Sequence, residues 1–241
     1  MPEAVVGLIG GSGLRDASVV EAGRPRPVDT PFGSPSDPPF AGRHGDVPVV
    51  FLARHGADHR IPPHRINHRA NLWALKELGV THVLGTASTG SLKKPIAPGT
   101  FVVPHDYVGF WSIPTFHDAE VVHATPGLDE TLRTVLTHAA KKEGANVRGR
   151  GVYVQTSGPR LETRAEIEFF RGLGDVLGMT MASEATLASE LGLPYAALCS
   201  VDNYCHGIVD RPLTFEQIRK TQERNAEVVR PILTRALELI P

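Results

Sequence analysis

The sequence predicts an α/β fold: a single domain over residues 1–241, with a mixed but mainly parallel central sheet flanked by helices. Three observations predict it. Short β-rich apolar runs alternate with segments whose apolar residues recur at three- and four-residue steps. Some runs are almost continuously apolar, as strands covered by helices on both faces are. Segments rich in glycine, hydroxyls or cations repeatedly follow those runs, where open α/β sheets bind ligands.

Residues 4–9 read as the first strand, ending in Gly10-Gly11-Ser12-Gly13. The Pro- and Gly-rich stretch 25–42 reads as a hairpin with a loop at Pro31-Phe32-Gly33-Ser34-Pro35, not as a domain boundary. Residues 49–52 form a strand that ends at Ala53-Arg54-His55-Gly56. Residues 67–78 are helical because Ala70, Trp73, Ala74 and Leu78 share a face, and Gly79 closes the helix. A strand at 82–86 leads into a hydroxyl-rich turn, Thr86-Ala87-Ser88-Thr89-Gly90-Ser91. A helix at 128–145, a strand at 152–155, helices at 163–172 and 183–190, and a buried strand at 195–201 follow. Residues 214–240 form a long helical segment, kinked or broken at Pro231.

Bulk composition narrows the function. A chain of 241 residues with 41% hydrophobic content suits one large domain with a substantial core. A net charge of −1 offers no global basic field for nucleic acid or an anionic membrane. No run of 18 apolar residues exists, and Met1-Pro2-Glu3-Ala4 opens no signal peptide. Cys199 and Cys205 make neither a C-x-x-C pair nor a zinc set, so reduced thiols in a cytoplasmic protein are expected. His55, His59, His64 and His68 resemble a metal cluster, but Pro62-Pro63 interrupts any helix joining them, and no metal is expected.

The strand-end segments carry the chemistry. Glycines in Gly10-Gly11-Ser12-Gly13 allow backbone N–H groups close to an anion, though the spacing fits neither a P-loop nor a dinucleotide fingerprint. Arg54 has a planar fork suited to phosphate oxygens. Thr163 with Glu166 fits a capping box, which leaves Glu162 free. Asp202 ends a nearly continuous apolar run, so burial would raise its pKa toward that of a general acid; a cap or an Arg partner would explain it equally. Together these describe an anion cradle of Ser12, Arg54, His55, Ser88 and Thr180 beside two carboxyls, Glu162 and Asp202.

Five ordered motifs carry a resemblance: Gly10-Gly11-Ser12-Gly13-Leu14, Ala53-Arg54-His55-Gly56, Asn71-Leu72-Trp73-Ala74-Leu75-Lys76, Gly158-Pro159-Arg160-Leu161-Glu162-Thr163 and Gly178-Met179-Thr180. The chain resembles the purine nucleoside phosphorylase family, nearest its methylthioadenosine and methylthioinosine branch, from about Val5 to the final helix. The resemblance implies that phosphate is held by Ser12, Arg54, His55, Ser88 and Thr180, with Ala87 giving only a backbone contact. It implies that Met179 lies against the ribose, Leu161 and Glu162 line the base pocket, and Asp202 faces purine N7 as the catalytic residue. Phe215 would line the 5′ pocket, and His123 of a neighbouring subunit would close it in a homotrimer or dimer of trimers. Inorganic phosphate would be co-substrate, with no metal or organic cofactor.

At the last strand end the chain departs from the family. Adenine-type members carry Asp-x-Asp where this chain has Asp202-Asn203-Tyr204; members acting on 6-oxopurines have Asn at the Asp202 position and Glu at the Glu162 position. A 6-oxopurine presents an N1–H that Glu162 can accept, whereas a 6-aminopurine suits a protonated Asp202. Asn203 could face the base only where the strand has ended, since neighbouring strand residues point oppositely. An apolar Phe215 favours a 5′-methylthio group. The expected substrate is methylthioinosine, then methylthioadenosine, then inosine or guanosine. The rivals are a water-using nucleosidase and a non-catalytic nucleoside-binding protein.

Overall fold

A computed structural model describes residues 4–12, 14, 17–111, 113–210 and 212–240. Its core is β1 (Val6–Gly10), wholly buried and paired in parallel with β4 (Val47–Ala53) and β5 (His82–Ser91). The 25–42 hairpin is present: β2 (Glu21–Pro25) and β3 (Phe40–His44) pair antiparallel, and β3 continues antiparallel onto β4.

The sheet forks at β5. One path runs β2-β3-β4-β1-β5-β10-β9-β7, with β10 (Val176–Gly178), β9 (Val152–Gln155) and β7 (Asp106–Gly109). The other leaves β5 through β11 (Tyr195–Tyr204) to β6 (Phe101–Val102) and β8 (Val147–Arg148). Parallel and antiparallel pairs coexist, so the sheet is mixed.

Two strands outrun their sequence-based limits. Residues 86–91, read as a turn, continue β5, because β11 pairs with them up to Tyr204↔Ser91. That pairing satisfies the backbone of a segment whose polar composition suggested a loop.

Helices cover both faces. α1 (His68–Glu77) and α4 (Met181–Glu190) pack on one side with Leu72, Leu75, Ala185 and Leu187. α2 (Glu130–Lys142) and α5 (Phe215–Leu239) pack on the other with Leu132, Leu136, Ile232 and Leu233. α3 (Arg164–Phe170) starts at Thr163, whose side chain and Glu166 form the expected capping box. α5 is not broken at Pro231. The proline removes one N–H from the helical ladder, but buried Val229, Ile232 and Leu233 hold the helix to the core on either side of it. Among the described residues no helix is long and apolar enough to cross a membrane.

Candidate active site

The ends of β4, β5, β10 and β11 and the first turns of α4 and α5 enclose a cleft of about 500 Å³, within the range of small-molecule sites. Ser12, Arg54, His55, Ser88, Leu161, Glu162, Met179, Thr180, Asn203 and Phe215 all line it. The fork in the sheet is what brings them together: β5 sits between β1 and β11, so the segments that follow all three open on one side.

Arg54 is 1% exposed. Its Nε and Nη2 both donate to Glu184 of α4, the second at 3.0 Å. The fork read as open to an anion is therefore closed on a carboxylate, and Nη1 is the remaining edge. A Cβ on Gly11 would collide with that Nη1, so glycine is required for the close approach. Gly11 N–H donates to Thr86 Oγ1 at 3.0 Å, which uses one donor the glycine turn was expected to offer an anion. Gly13 lies outside the described residues.

The rest of the cradle is polar and uncharged. Ser12 Oγ lies 3.4 Å from His59 Nε2. His55 Nδ1–H donates to the Ile61 carbonyl at 2.8 Å, and burial, reinforced by Arg54, pushes its pKa down to about 4. Thr180 stands at the N-cap of α4 but its side chain makes no capping bond, so a hydroxyl and a helix N-terminus face the cleft together.

β11 departs from regular register at Asp202: Val201 pairs with Thr89, but Asn203 pairs with Gly90. This bulge inserts a residue and re-aims its neighbours. It places Asn203, not Asp202, in the cleft wall. Asp202 is 2% exposed; it accepts hydrogen bonds from Ser88 Oγ and from Asn225 Nδ2, the latter at 2.6 Å. Burial pushes its pKa up to about 6, against the lowering effect of Ser88, Asn225, Ser200 and Gln222. Asp202, expected to face the base, is not among the residues lining this cleft; its carboxyl accepts from Ser88 and Asn225.

Three other named residues do not line the cleft of this chain, though Ala87 was expected only through its backbone and His123 only from a neighbouring subunit. Ala87 points into the core, as the alternation of β5 requires once Ser88 faces the cleft. Tyr204 turns away and donates to the Lys94 carbonyl at 3.0 Å. His123 is exposed in the irregular segment before α2.

Glu162 is 6% exposed. Thr156 Oγ1 donates to its Oε1 at 2.7 Å, and His206 Nδ1–H donates to its backbone carbonyl at 2.7 Å. Met179 packs on Gly158, whose φ of +62° and contact with the Met179 sulfur both exclude a side chain. Phe215 and Ile218, in the first turn of α5, give the cleft an apolar end.

Sequence reasoning missed Gln222, Asn225 and Glu184. A signal existed for two of them. Ile218, Asn225, Val229 and Ile232 share the buried stripe of α5, and Glu184 shares that of α4 with Leu187 and Ala188. A polar residue interrupting an apolar stripe needs a buried partner. Among the described residues, no three His, Cys, Asp or Glu side chains gather as metal ligands.

The buried histidines make the fold acid-labile. Burial pushes His68 down to about 3, and His55 lies near 4. Both are neutral when folded and take up protons when unfolded below about 6.5. Stability is therefore complete above that pH and falls as pH drops toward the folded values. The expected loss is about 1 kcal/mol per pH unit for each histidine. Urea midpoints between about pH 7 and about pH 5 measure it; Asp202, raised to about 6 in the folded state, takes up a proton there and offsets part of the fall, and His68→Asn should reduce the fall further.

Residues 5–238 match the phosphorylase superfamily, to which the chain belongs. Within it, the chain is an enzyme of the purine nucleoside phosphorylase type. It is 40% identical to the probable 6-oxopurine nucleoside phosphorylase of Archaeoglobus fulgidus, over 98% of this chain and 97% of that one. It is 38% identical to the probable S-methyl-5′-thioinosine phosphorylase of Thermodesulfovibrio yellowstonii, over 98% and 91%. Its fold matches that of methylthioadenosine phosphorylase from Schistosoma mansoni in complex with adenine, with a TM-score of 0.89 and 33% identity over 98% and 92%.

Proposed function

We propose that the protein splits the N-glycosidic bond of a 6-oxopurine nucleoside with inorganic phosphate, and that 5′-methylthioinosine is its substrate. The carrying observation is that Glu162 and Asn203 line one cleft while Asp202 does not. A 6-oxopurine offers an N1–H donor, which a carboxylate accepts, and acceptors at N7 and O6, which an amide N–H serves. The case for a 6-aminopurine needed the Asp202 carboxyl at N7 and N6, and that carboxyl is enclosed by Ser88 and Asn225. The apolar end formed by Phe215 and Ile218 favours a methylthio group over a hydroxyl that would find no partner.

Phosphate would lie at Arg54 Nη1, Ser12, His55, Ser88 and Thr180, on the sugar face opposite the base. There its oxygen forms the bond to C1′ as the bond from C1′ to the purine breaks. Its negative charge stabilises the cationic sugar, and fixed placement makes the encounter effectively unimolecular. Asn203 Nδ2 gives one hydrogen to the Tyr204 carbonyl at 3.0 Å; its second, donated at N7, stabilises the electron pair that the base takes with it. No metal or organic cofactor enters this scheme.

The exposed aromatic set Phe110, Trp111 and Phe169, in which Phe110 contacts both other rings, supports an interface between copies of the chain; a homotrimer or dimer of trimers in which His123 of a neighbour closes the 5′ end is the arrangement proposed. Two unpaired, buried thiols, Cys199 and Cys205, support a cytoplasmic setting.

Purine release from methylthioinosine, methylthioadenosine and inosine, each with and without phosphate, tests the reading. Phosphate-dependent hypoxanthine release, fastest from methylthioinosine, is expected. Adenine release alone would reverse the assignment of the base. Release without phosphate would make the enzyme a hydrolase and leave the Arg54 cradle without its anion.

A further inference from the structure

A hydroxyl has one proton to donate and two lone pairs to accept with. Ser88 sits in the cleft wall between two fixed partners. Gln222 Nε2 donates to its Oγ at 2.8 Å, and Asp202 Oδ2 lies within hydrogen-bond reach on the other side. The second Asp202 oxygen, Oδ1, already accepts from Asn225 Nδ2 at 2.6 Å. An ionised Asp202 therefore accepts the Ser88 O–H hydrogen bond, and the hydroxyl has no hydrogen left for a ligand. A protonated Asp202 with its hydrogen on Oδ2, the oxygen that faces Ser88, donates it to Ser88. The Ser88 hydrogen is then free to turn into the cleft, while Gln222 fills the remaining lone pair.

We propose that Asp202 is a positioning residue, held by Asn225, whose protonation turns the Ser88 hydroxyl away from the carboxyl and toward a bound oxyanion. It rests on the phosphorolysis reading in taking that oxyanion to be phosphate-like. Burial pushes the carboxyl up to about 6, which brings the switch near neutral pH. The groups facing it are few. β5 presents Ser88, α5 presents the uncharged Gln222 and Asn225, and β11 presents Ser200 and Cys199, whose thiol burial keeps protonated. Across the cleft stand Arg54, His55, His59 and Glu162, none of which is hydrogen-bonded to Asp202.

Sulfate, a dianion that does not titrate in this range, is the probe. Its affinity for the intact protein is measured by calorimetry at about pH 5 and about pH 8. Wild type should bind more tightly at the lower pH, and both Ser88→Ala and Asp202→Asn should shrink the ratio of the two affinities about tenfold. Any pH dependence that arises from groups other than Asp202 survives in both variants. A merely structural Asp202 would weaken binding equally at both pH values, which overturns the proposal. So does a Ser88→Ala protein that keeps the wild-type ratio, and this variant decides the matter even if Asp202→Asn fails to fold. A folded wild type that binds no sulfate and releases purine without phosphate overturns the phosphorolysis reading instead, and the proposal with it.

Discussion

Glu162→Gln should invert the enzyme's choice of base. Thr156 already donates to Oε1 at 2.7 Å, and the carbonyl oxygen of glutamine can keep that bond. The NH2 group must then take the place of Oε2, toward the cleft that Glu162 lines. Against a 6-oxopurine it meets the N1–H, donor against donor. Against a 6-aminopurine it meets an N1 lone pair and can donate to it. Losing a buried bond to a charged group and leaving its donor unpaired costs about 1.5–3 kcal/mol. That corresponds to a drop of roughly 10- to 100-fold in kcat/KM for methylthioinosine. Methylthioadenosine should be untouched or improved, so the ratio of the two is the sharper readout. Equal losses on both substrates would mean that Glu162 organises the loop rather than reading the base.

The difference between expectation and structure is concentrated at one residue. β1, β4, β9 and the helices were legible because each depends on local patterning: continuous apolar runs, a 3.6-residue stripe, and the Thr163 and Glu166 cap. The strand-end rule then pointed to the segments that now line a single cleft. What could not be read was the length of β5 and β11. Their hydroxyl-rich ends look like loops, and distant pairing makes them strands: with each other over residues 83–91 and 195–204, and of β5 with β10 at Gly90 and Ser91. The bulge at Asp202 follows from that pairing. It decides which of two adjacent residues lines the cleft, Asn203 and not Asp202. Strand alternation alone would have forbidden Asn203 from the place it holds. Likewise Arg54 was legible as a cation after a strand, but its partner Glu184 is 130 residues away, and no local pattern joins them.

That distant pair carries the largest stability effect expected of any single substitution in the site. Arg54 and Glu184 are each 1% exposed. Tyr195 adds a hydrogen bond to Glu184 Oε2 at 2.8 Å, and His68 Nδ1 lies 4.0 Å from Oε1. Glu184→Ala leaves a guanidinium buried without its counter-charge and a tyrosine hydroxyl without its acceptor. Removing one partner of a buried pair costs about 3–5 kcal/mol, and urea unfolding at neutral pH should lose that much. Glu168→Ala supplies the contrast: Glu168 is 73% exposed in its pair with Arg171, and its loss should stay within about 0.5 kcal/mol. Sulfate should partly restore the Glu184→Ala protein, because an anion at Arg54 replaces the missing charge and binding to the native state adds stability with concentration. The double replacement Arg54→Met with Glu184→Leu separates the two roles of the pair. It removes both charges at similar volume, so stability should return toward wild type, while phosphate-dependent purine release stays lost for want of the Nη1 edge. A Glu184→Ala protein as stable as Glu168→Ala would show that water reaches Arg54, and the enclosed, charge-paired floor of the cleft would have to be given up.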